Sequence, residues 1–228
     1  MRIDLITIFP EICDFYFKHS LLKKAQDKKK IIFKAHNLRD FSFDKHSTVD
    51  DKPFGGGRGM VLKAEPLYRA IKALGAFSKR RRAPSRKRKV ILLSPRGKKF
   101  SQQMATKWAK QDQLIFICGR YEGVDERVAK YLADEVVSLG DFVLMAGELP
   151  AIIMAEAVAR LLPGVVGHSE DLIAERITKQ GGFIEYPQYT RPEVVEINGK
   201  KRKVPKVLMS GHHKEIEKWR AANSKVIE

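Results

Sequence analysis

Short apolar runs alternate with segments of helical periodicity over residues 1–164. The apolar runs are continuous rather than alternating, as in strands that are buried on both faces of a sheet. We assign strands to residues 3–9, 31–35, 90–94, 114–118 and 135–139. Helices are predicted at residues 65–74, 101–111, 125–133 and 150–162. Strands and helices in alternation favour an α/β domain with a mostly parallel sheet.

The pattern changes after Gly164. Residues 165–182 show no clear period and are expected to form a linker. Residues 183–228 are polar, basic and helical only near their end, which predicts a small, mainly helical C-terminal domain. We therefore divide the chain into a main domain at 1–164, a linker at 165–182 and a C-terminal domain at 183–228.

The sequence indicates neither a membrane segment nor an export segment. No stretch reaches the roughly 18 apolar residues that a membrane helix needs. The first 17 residues carry Asp4 and Glu11 and lack a small-residue cleavage site, so we interpret them as a buried strand. Cys13 and Cys118 lie far apart in apolar settings, as expected of core thiols in a reducing cytoplasm. We therefore expect a cytoplasmic protein without a membrane partner.

The chain carries a strong excess of positive charge, with 44 Lys and Arg against 27 Asp and Glu, a formal net charge of +17 and a pI of about 9.9. This excess indicates a polyanionic partner. Nucleic acid is favoured over an anionic membrane because no helix separates a basic face from a bulky apolar one. Two basic runs, residues 79–89 with eight basic side chains and residues 200–203 (KKRK), are expected to be solvated and to contact phosphates.

Four loops carry the residues that could bind a small molecule. Three follow predicted strands, namely residues 94–97, 119–123 and 139–150, and open parallel sheets bind ligands at that edge. The fourth, residues 54–60 (FGGGRGM), allows close backbone approach but follows no buried strand, so a mobile loop and a binding loop are equal alternatives. The sequence has no P-loop, no metal-ligand spacing among its histidines and cysteines, and no nucleophile elbow.

Six strings resemble, in order and spacing, the bacterial tRNA (guanine-N1)-methyltransferases, the TrmD family of knotted SPOUT-class enzymes. The strings are DDKPFGGGRGM, LLSPRGKKF, CGRYEGVDERV, SLGDFVLMAGELPA, LLPGVVGH and YPQYTRPEV. The resemblance implies transfer of a methyl group from S-adenosylmethionine to N1 of guanosine 37, just 3′ of the anticodon of tRNA. It also implies a deep trefoil knot in the α/β domain, homodimers with the active site at the subunit interface, and Mg²⁺.

The resemblance assigns the cofactor to the loops at the strand ends. The residues that it implies for S-adenosylmethionine are Leu93, Ser94, Pro95, Gly119, Tyr121, Glu122, Leu139, Gly140, Phe142, Leu144 and Gly147. Two positions in these loops depart from the family pattern: Phe142 replaces a usual Tyr, and Ala146 with Gly147 replaces a glycine pair.

Methylation of guanine N1 requires a base that removes the N1 proton and a cation that stabilises charge on O6. The resemblance gives the cation role to Arg160, whose alternative is an exposed ion pair with Glu156. The family's Asp-Ser-Phe stretch is absent. The base is therefore assigned by position to Glu175, with Asp171 and Glu170 as alternatives, and any of the three could instead be a solvated linker carboxylate.

The expected tRNA contacts are Arg58, which replaces a usual proline, Arg80, Arg81 and Arg82 in the first basic run, and Lys200, Lys201 and Arg202 in the second. We expect the two runs to compensate in part for a tRNA-binding domain that is shorter than the family's. Two alternatives to tRNA methylation are a non-catalytic RNA-binding member of the same fold and a related knotted methyltransferase that acts on ribosomal RNA. The YTRP and GRYEG strings speak against the second of these alternatives.

Overall fold

The computed structural model describes residues 1–77, 87–166 and 183–227, the last range with backbone only at 183–185 and 225–227. The chain divides into two compact units, an N-terminal unit at 1–169 and a C-terminal unit at 170–228. This division falls inside residues 167–182, which make up most of the predicted linker and lie outside the described residues. Among the described residues, no helix is long and apolar enough to cross a membrane.

The N-terminal unit is built on a five-stranded parallel sheet. The strands of this unit are β1 (Arg2–Thr7), β2 (Ile32–Asn37), β3 (Asp50–Asp51), β4 (Val61–Leu62), β5 (Arg88–Lys99), β6 (Gln113–Ile117) and β7 (Glu135–Ser138), of which β3 and β4 form a separate two-stranded sheet. The main sheet has the order β2-β1-β6-β5-β7, and every neighbouring pair in it is parallel. The mostly parallel α/β sheet predicted from the alternating pattern is confirmed.

Helices cover both faces of this sheet, so its strands are apolar on both sides. The helices are α1 (Pro10–Phe17), α2 (Ser20–Asp27), α3 (Ala64–Ala73), α4 (Gln102–Trp108), α5 (Glu126–Tyr131) and α6 (Glu148–Ala159). Side chains of α1, α2, α4 and α6 pack with Ile3 and Leu5 of β1 on one face. Side chains of α3 and α5 pack with Ile6 of the same strand on the other. Burial on alternate sides explains why the strands are continuous apolar runs.

The start of the chain corrects one prediction. We expected residues 1–17 to form a buried strand, but β1 ends at Thr7 and α1 begins at Pro10. Proline suits the first turn of a helix because its fixed φ is helical and its missing N–H needs no partner there. The apolar residues of α1 therefore continue the apolar run of β1 in the sequence while forming a helix.

The first basic run and the last helix of the N-terminal unit also differ from expectation. Arg88 and Lys89 belong to β5 and not to a solvated loop, and the Lys89 ammonium pairs with the Glu135 carboxylate on neighbouring β7. Helix α6 begins at Glu148, two residues before the predicted start at Pro150, and ends at Ala159. Lys89 and Glu148 enter these regular elements with oppositely charged partners, Glu135 and Arg120 respectively.

The C-terminal unit contains more strand than predicted. It consists of β8 (Phe183–Glu185), β9 (Val194–Ile197), β10 (Lys200–Lys203), a 3-10 turn, α7 (His213–Asn223) and β11 (Lys225–Ile227). Strands β9 and β10 form an antiparallel hairpin, and β8 pairs with β11. The hairpin turn has positive φ at Asn198 (53°) and Gly199 (69°). An Asn-Gly pair favours this turn, which is the signal that the prediction of a mainly helical domain left out.

Candidate active site

One cavity of the N-terminal unit lies at the carboxyl ends of β5, β6 and β7, and we call it the strand-end cavity. Its volume is about 370 Å³. Among the described residues it is lined by residues 92–96, 119–124, 137–139, 142–147 and Pro150. Residues 92–96 lie where the regular pairing of β5 ends at a register shift between Leu93 and Lys98, and the other residues, apart from Pro150 of α6, lie at the ends of β6 and β7 or in the loops after them. The side chains therefore come from separate parts of the sequence to one edge of the sheet.

Ten of the eleven residues predicted for the cofactor line the strand-end cavity. They are Leu93, Ser94, Pro95, Gly119, Tyr121, Glu122, Leu139, Phe142, Leu144 and Gly147. The eleventh, Gly140, lies behind the cavity wall. A Cβ at Gly140 would come within 2.6 Å of the Phe142 ring, so only a glycine leaves room for the ring in its observed position. The roles of these eleven residues in cofactor binding stay a prediction.

Gly147 joins two of the cavity loops. Its N–H donates to the Gly119 carbonyl at 2.9 Å. A Cβ at this position would lie 2.7 Å from the Cys118 Cα and 2.7 Å from the Gly119 nitrogen, both backbone atoms that cannot move aside easily. The departure from a glycine pair falls instead on Ala146, whose methyl group the cavity accommodates.

The glycine-rich loop is attached to the same wall. Strands β3 and β4 pair, and we call residues 50–62, which include the loop, the glycine hairpin. The Glu122 N–H donates to the Met60 carbonyl at 3.0 Å, and the Leu62 N–H donates to the Gly123 carbonyl at 3.0 Å. A Cβ at Gly59, where φ is 83°, would lie 2.5 Å from the Glu122 side chain. The structure therefore places beside the cavity a loop whose role the sequence left open.

A buried carboxylate lies behind the cavity wall, and sequence analysis did not single it out. The Glu148 side chain is only 1% exposed. Its oxygens accept hydrogen bonds from the Thr7 hydroxyl and from Nε of Arg120, which lies 3.2 Å from each oxygen. The Arg120 guanidinium in turn lies 4.5 Å from the centre of the Phe9 ring. The sequence signal for this ion pair was the presence of Arg120 and Glu148 in two of the predicted ligand-binding loops, GRYEG and GELP.

Both cysteines are buried and free. Burial raises the pKa of the Cys13 thiol to about 12, and the nearby Glu148 carboxylate adds to the shift. Burial also raises the pKa of the Cys118 thiol. The thiols are therefore protonated at neutral pH and pack as small apolar groups, as expected of core residues.

Arg160, the predicted cation, caps the C-terminal end of α6 and is exposed. It does not line the strand-end cavity of its own chain. The alternative ion pair with Glu156 is not formed, because the Glu156 carboxylate accepts the Tyr16 hydroxyl instead. The base candidates Glu175, Asp171 and Glu170 lie outside the described residues.

The predicted tRNA contacts fall in separate places. Arg58 is exposed on the glycine hairpin, and Lys200, Lys201 and Arg202 are exposed on β10, which corrects the expectation of an irregular basic run. Arg80, Arg81 and Arg82 lie outside the described residues. Over residues 1–77, 87–166 and 183–227, no cluster of His, Cys, Asp or Glu side chains has the geometry to hold a metal ion.

Comparisons with known proteins identify the family of the chain. The family model described as tRNA (Guanine-1)-methyltransferase TrmD matches residues 1–226. A tRNA (guanine-N(1)-)-methyltransferase of Clostridium novyi is 48% identical over 227 residues, covering 100% of this chain and 88% of that protein. One from Desulfitobacterium hafniense is 50% identical over 225 residues, covering 98% of this chain and 80% of that protein.

A solved structure is similar as well. The crystal structure of the tRNA (m1G37) methyltransferase from Aquifex aeolicus superposes with a TM-score of 0.75 at 39% sequence identity, covering 96% of this chain and 87% of that one. Strand order, the strand-end cavity and these similarities lead to one conclusion: the chain belongs to the tRNA (guanine-1)-methyltransferase TrmD family.

Proposed function

We propose that this protein transfers the methyl group of S-adenosylmethionine to N1 of guanosine 37 of tRNA, 3′ of the anticodon. One observation carries the proposal: ten residues that the family pattern assigns to the cofactor line a single cavity at the ends of three parallel strands. Relatives at 48–50% identity are named for this methylation. The cavity volume of about 370 Å³ lies within the range of roughly 300–1,000 Å³ that is common for small-molecule sites.

The cavity binds the cofactor mainly through apolar contact and backbone groups. Leu93, Leu139, Phe142 and Leu144 supply apolar surface, and the glycine positions allow backbone N–H and C=O groups to approach a ligand. Bound S-adenosylmethionine supplies a methyl group on a positively charged sulfur. Fixing that group against guanine N1 replaces a bimolecular encounter by an oriented one, which is a large part of the catalysis.

The chemistry at guanine needs two more groups. A carboxylate accepts the N1 proton as the new N–C bond forms and the S–C bond breaks, and we assign this role to Glu175, with Asp171 and Glu170 as alternatives. A cation stabilises the charge that develops on O6, and we assign it to Arg160. Mg²⁺, which the resemblance implies, belongs to the same proposal, and the described residues contain no group of three or more His, Cys, Asp or Glu side chains that could hold it.

A homodimer accounts for two features of the N-terminal unit. Helices α1 and α6 pack together and expose apolar side chains, including Phe15 (71% exposed), Leu149 (57%) and Ile153 (47%). Exposed apolar surface of this kind is typical of an interface. Arg160 ends the same α6 but does not line its own chain's cavity. We infer that Arg160 acts at the cavity of a second copy, so that each active site is built at the subunit interface.

Three further features belong to the same proposal. The α/β domain contains the deep trefoil knot of the family, and the protein is cytoplasmic. The C-terminal unit binds tRNA with Lys200, Lys201 and Arg202, which β10 holds exposed on one hairpin. Arg58 on the glycine hairpin and Arg80, Arg81 and Arg82 add phosphate contacts.

The test uses labelled S-adenosylmethionine and unmodified tRNA transcripts with G or A at position 37. After digestion, 1-methylguanosine from the G transcript alone supports the proposal. Cofactor binding without a methylated product supports the non-catalytic RNA-binding alternative, and methylation at another position contradicts the assigned target. Glu175→Ala and Asp171→Ala are compared in the same assay. Near-native turnover of the first together with a loss in the second moves the base to Asp171.

A further inference from the structure

Arg120 lines the strand-end cavity but has no assigned role there. We propose that Arg120 is an anion-binding residue whose terminal guanidinium nitrogens receive an oxyanion of a substrate. Two sources offer that chemistry: the carboxylate of the amino-acid tail of S-adenosylmethionine and a phosphodiester of the tRNA. The inference rests on the proposed function because both ligands are its substrates.

The hydrogen bonds of Arg120 leave most of its donors available. A guanidinium carries five N–H donors in a fixed planar fork. Only Nε donates within the described part of the chain, and both of its acceptors are oxygens of Glu148, 3.2 Å away. The side chain lines the cavity and is 22% exposed. Arg120 thus presents a two-nitrogen edge of the kind that pairs with carboxylate and phosphate oxygens.

The position of this edge is fixed from several sides. Glu148 is held by Thr7 as well as by Arg120, and it lies at the start of α6. Phe9 packs against the guanidinium at 4.5 Å. Tyr121, the next residue, has a φ of 57°, a left-handed conformation that restricts the loop backbone. A side chain restrained in this way loses little freedom when it binds a ligand.

The charge of the pair decides how this site attracts its ligand. Glu148 is 1% exposed and compensates the charge of Arg120, so the two side chains together are close to neutral. Binding then depends on directed hydrogen bonds at short range and not on long-range attraction. If the anion is the cofactor carboxylate, the contribution of Arg120 to affinity is therefore nearly independent of salt.

The experiment compares two probes on the full chain and on the Arg120→Gln variant by calorimetry. S-Adenosylhomocysteine carries the carboxylate, and 5′-methylthioadenosine lacks the whole amino-acid tail. A loss of about tenfold for the first probe with no change for the second supports the carboxylate, since a charge-assisted pair is lost. If neither probe changes while KM for tRNA rises, the anion is a phosphate.

Two results overturn the inference. An equal loss for both probes shows that Arg120 only supports the cavity wall, and no change in either probe or in tRNA binding shows that it binds no substrate anion. Arg120→Lys keeps the charge and is expected to restore part of the lost affinity. Arg127→Gln, which removes an exposed arginine paired with Asp125 outside the cavity, is the control and is expected to match the wild type.

The design also separates this inference from the proposed function and from misfolding. If the wild type binds neither probe and methylates no guanosine, the proposed function fails and the inference falls with it. If the wild type methylates guanosine 37 and one of the two overturning results appears, only the inference fails. Should Arg120→Gln not fold, wild-type affinity for S-adenosylhomocysteine is compared with that for its decarboxylated analogue, and Arg120→Lys is tested with both. If the wild type binds S-adenosylhomocysteine more tightly than the decarboxylated analogue and Arg120→Lys reduces that difference in affinity, the inference is supported. If Arg120→Lys leaves the difference unchanged, the carboxylate assignment is overturned.

Discussion

Gly147 lies where the loop after β7 touches the loop after β6. Because a Cβ there would lie 2.7 Å from backbone atoms of Cys118 and Gly119, Gly147→Ala must push the two loops apart. We expect the free energy of unfolding to fall by about 1–3 kcal/mol, as for other overpacked sites. We also expect weaker binding of S-adenosylhomocysteine, because both loops line the cavity. Thermal unfolding and calorimetry measure the two effects.

Ala146→Gly is the matched control for this prediction. It changes the neighbouring position by one methyl group and restores the glycine pair of the family without adding an atom next to the Cys118 backbone. We expect its cofactor affinity to stay close to that of the wild type. If both variants weaken binding equally, loop flexibility and not the close approach at Gly147 governs the cavity.

Asp4 holds a second buried polar network, away from the cavity loops. Burial alone would raise the pKa of its carboxyl, but hydrogen bonds from His36, Arg2 and Gln113 outweigh burial, and the pKa lies below its usual value. A carboxyl with a lowered folded pKa stabilises the protein above its unfolded pKa of about 3.9. That stability is lost as the pH falls through the folded pKa.

Asp4→Asn tests this pH dependence. We expect it to lower the free energy of unfolding at pH 7 by about 1–3 kcal/mol, because Arg2 loses its charged acceptor and an amide replaces one of the two acceptor oxygens of the buried network. The difference from the wild type is expected to shrink as the pH falls below about 3.9. Urea denaturation at a series of pH values measures it, with Asp27→Asn, an exposed partner of Lys23, as the control. A difference that is constant over the pH range contradicts the assignment.

At the scale of single residues, the sequence predicts the cofactor loops but not the buried polar networks. The cofactor loops were predictable because the end of a buried strand is visible in the chain itself. The Glu148 and Asp4 networks were not, because their partners come from distant positions; Thr7 and Glu148, for example, are 141 residues apart. A polar residue inside an apolar strand signals a partner, but only the folded sheet identifies it.

Helices α1 and α6 present the exposed apolar surface from which we infer the homodimer. Ile153 is 47% exposed on α6, one turn beyond Leu149. A charge placed there would be desolvated in the dimer and hydrated in the monomer, so Ile153→Asp is expected to shift the equilibrium to monomers. Analytical ultracentrifugation measures the shift. Because we place Arg160 at the partner's cavity, methylation is expected to fall in parallel.

Ile197→Asp provides the comparison. Ile197 is 52% exposed on β9 of the C-terminal unit, so the variant introduces the same charge at an isoleucine of similar exposure. We expect it to sediment as the wild type does. A monomeric wild type, or a dimer that Ile153→Asp leaves intact, contradicts an interface on α6.

The elements differ in how far the sequence predicts them. The five strands of the main sheet follow from apolar runs, because only a strand covered on both faces favours such a run. Helix α1 escaped prediction since its apolar residues follow β1 after only two residues, and Pro10 was the available signal. Both strands of the β9–β10 hairpin are exposed, and neither VVEI nor KKRK alternates strictly between apolar and polar residues, so the clearest signal is the Asn-Gly turn.

The whole molecule carries a net charge of +17, and much of its attraction for tRNA arises from that excess. Replacing Lys200, Lys201 and Arg202 by Gln removes three exposed charges from β10. We expect weaker tRNA binding and a salt slope that falls by about two to three, because fewer counterions are released. Affinity for S-adenosylhomocysteine is expected to stay unchanged. Filter binding over a salt series measures both quantities for tRNA.

The control removes the same number of charges elsewhere. Lys24, Lys28 and Lys29 lie at and just beyond the end of α2 and are exposed. Their replacement by Gln changes the net charge by the same amount. Because we place the tRNA contact on β10, we expect this control to alter the salt slope less than the β10 variant does. Equal effects of the two variants would show that tRNA responds to total charge and that β10 has no particular contact.

The glycine hairpin shares two backbone hydrogen bonds with the loop that carries Glu122. A ligand that moves Glu122 in the cavity therefore moves Met60, and with it the exposed tip that carries Phe54 and Arg58. We therefore expect occupancy of the cavity and occupancy of the tip to be thermodynamically linked. By reciprocity, the factor by which the cofactor changes the affinity for RNA equals the factor by which RNA changes the affinity for the cofactor, whichever is added first.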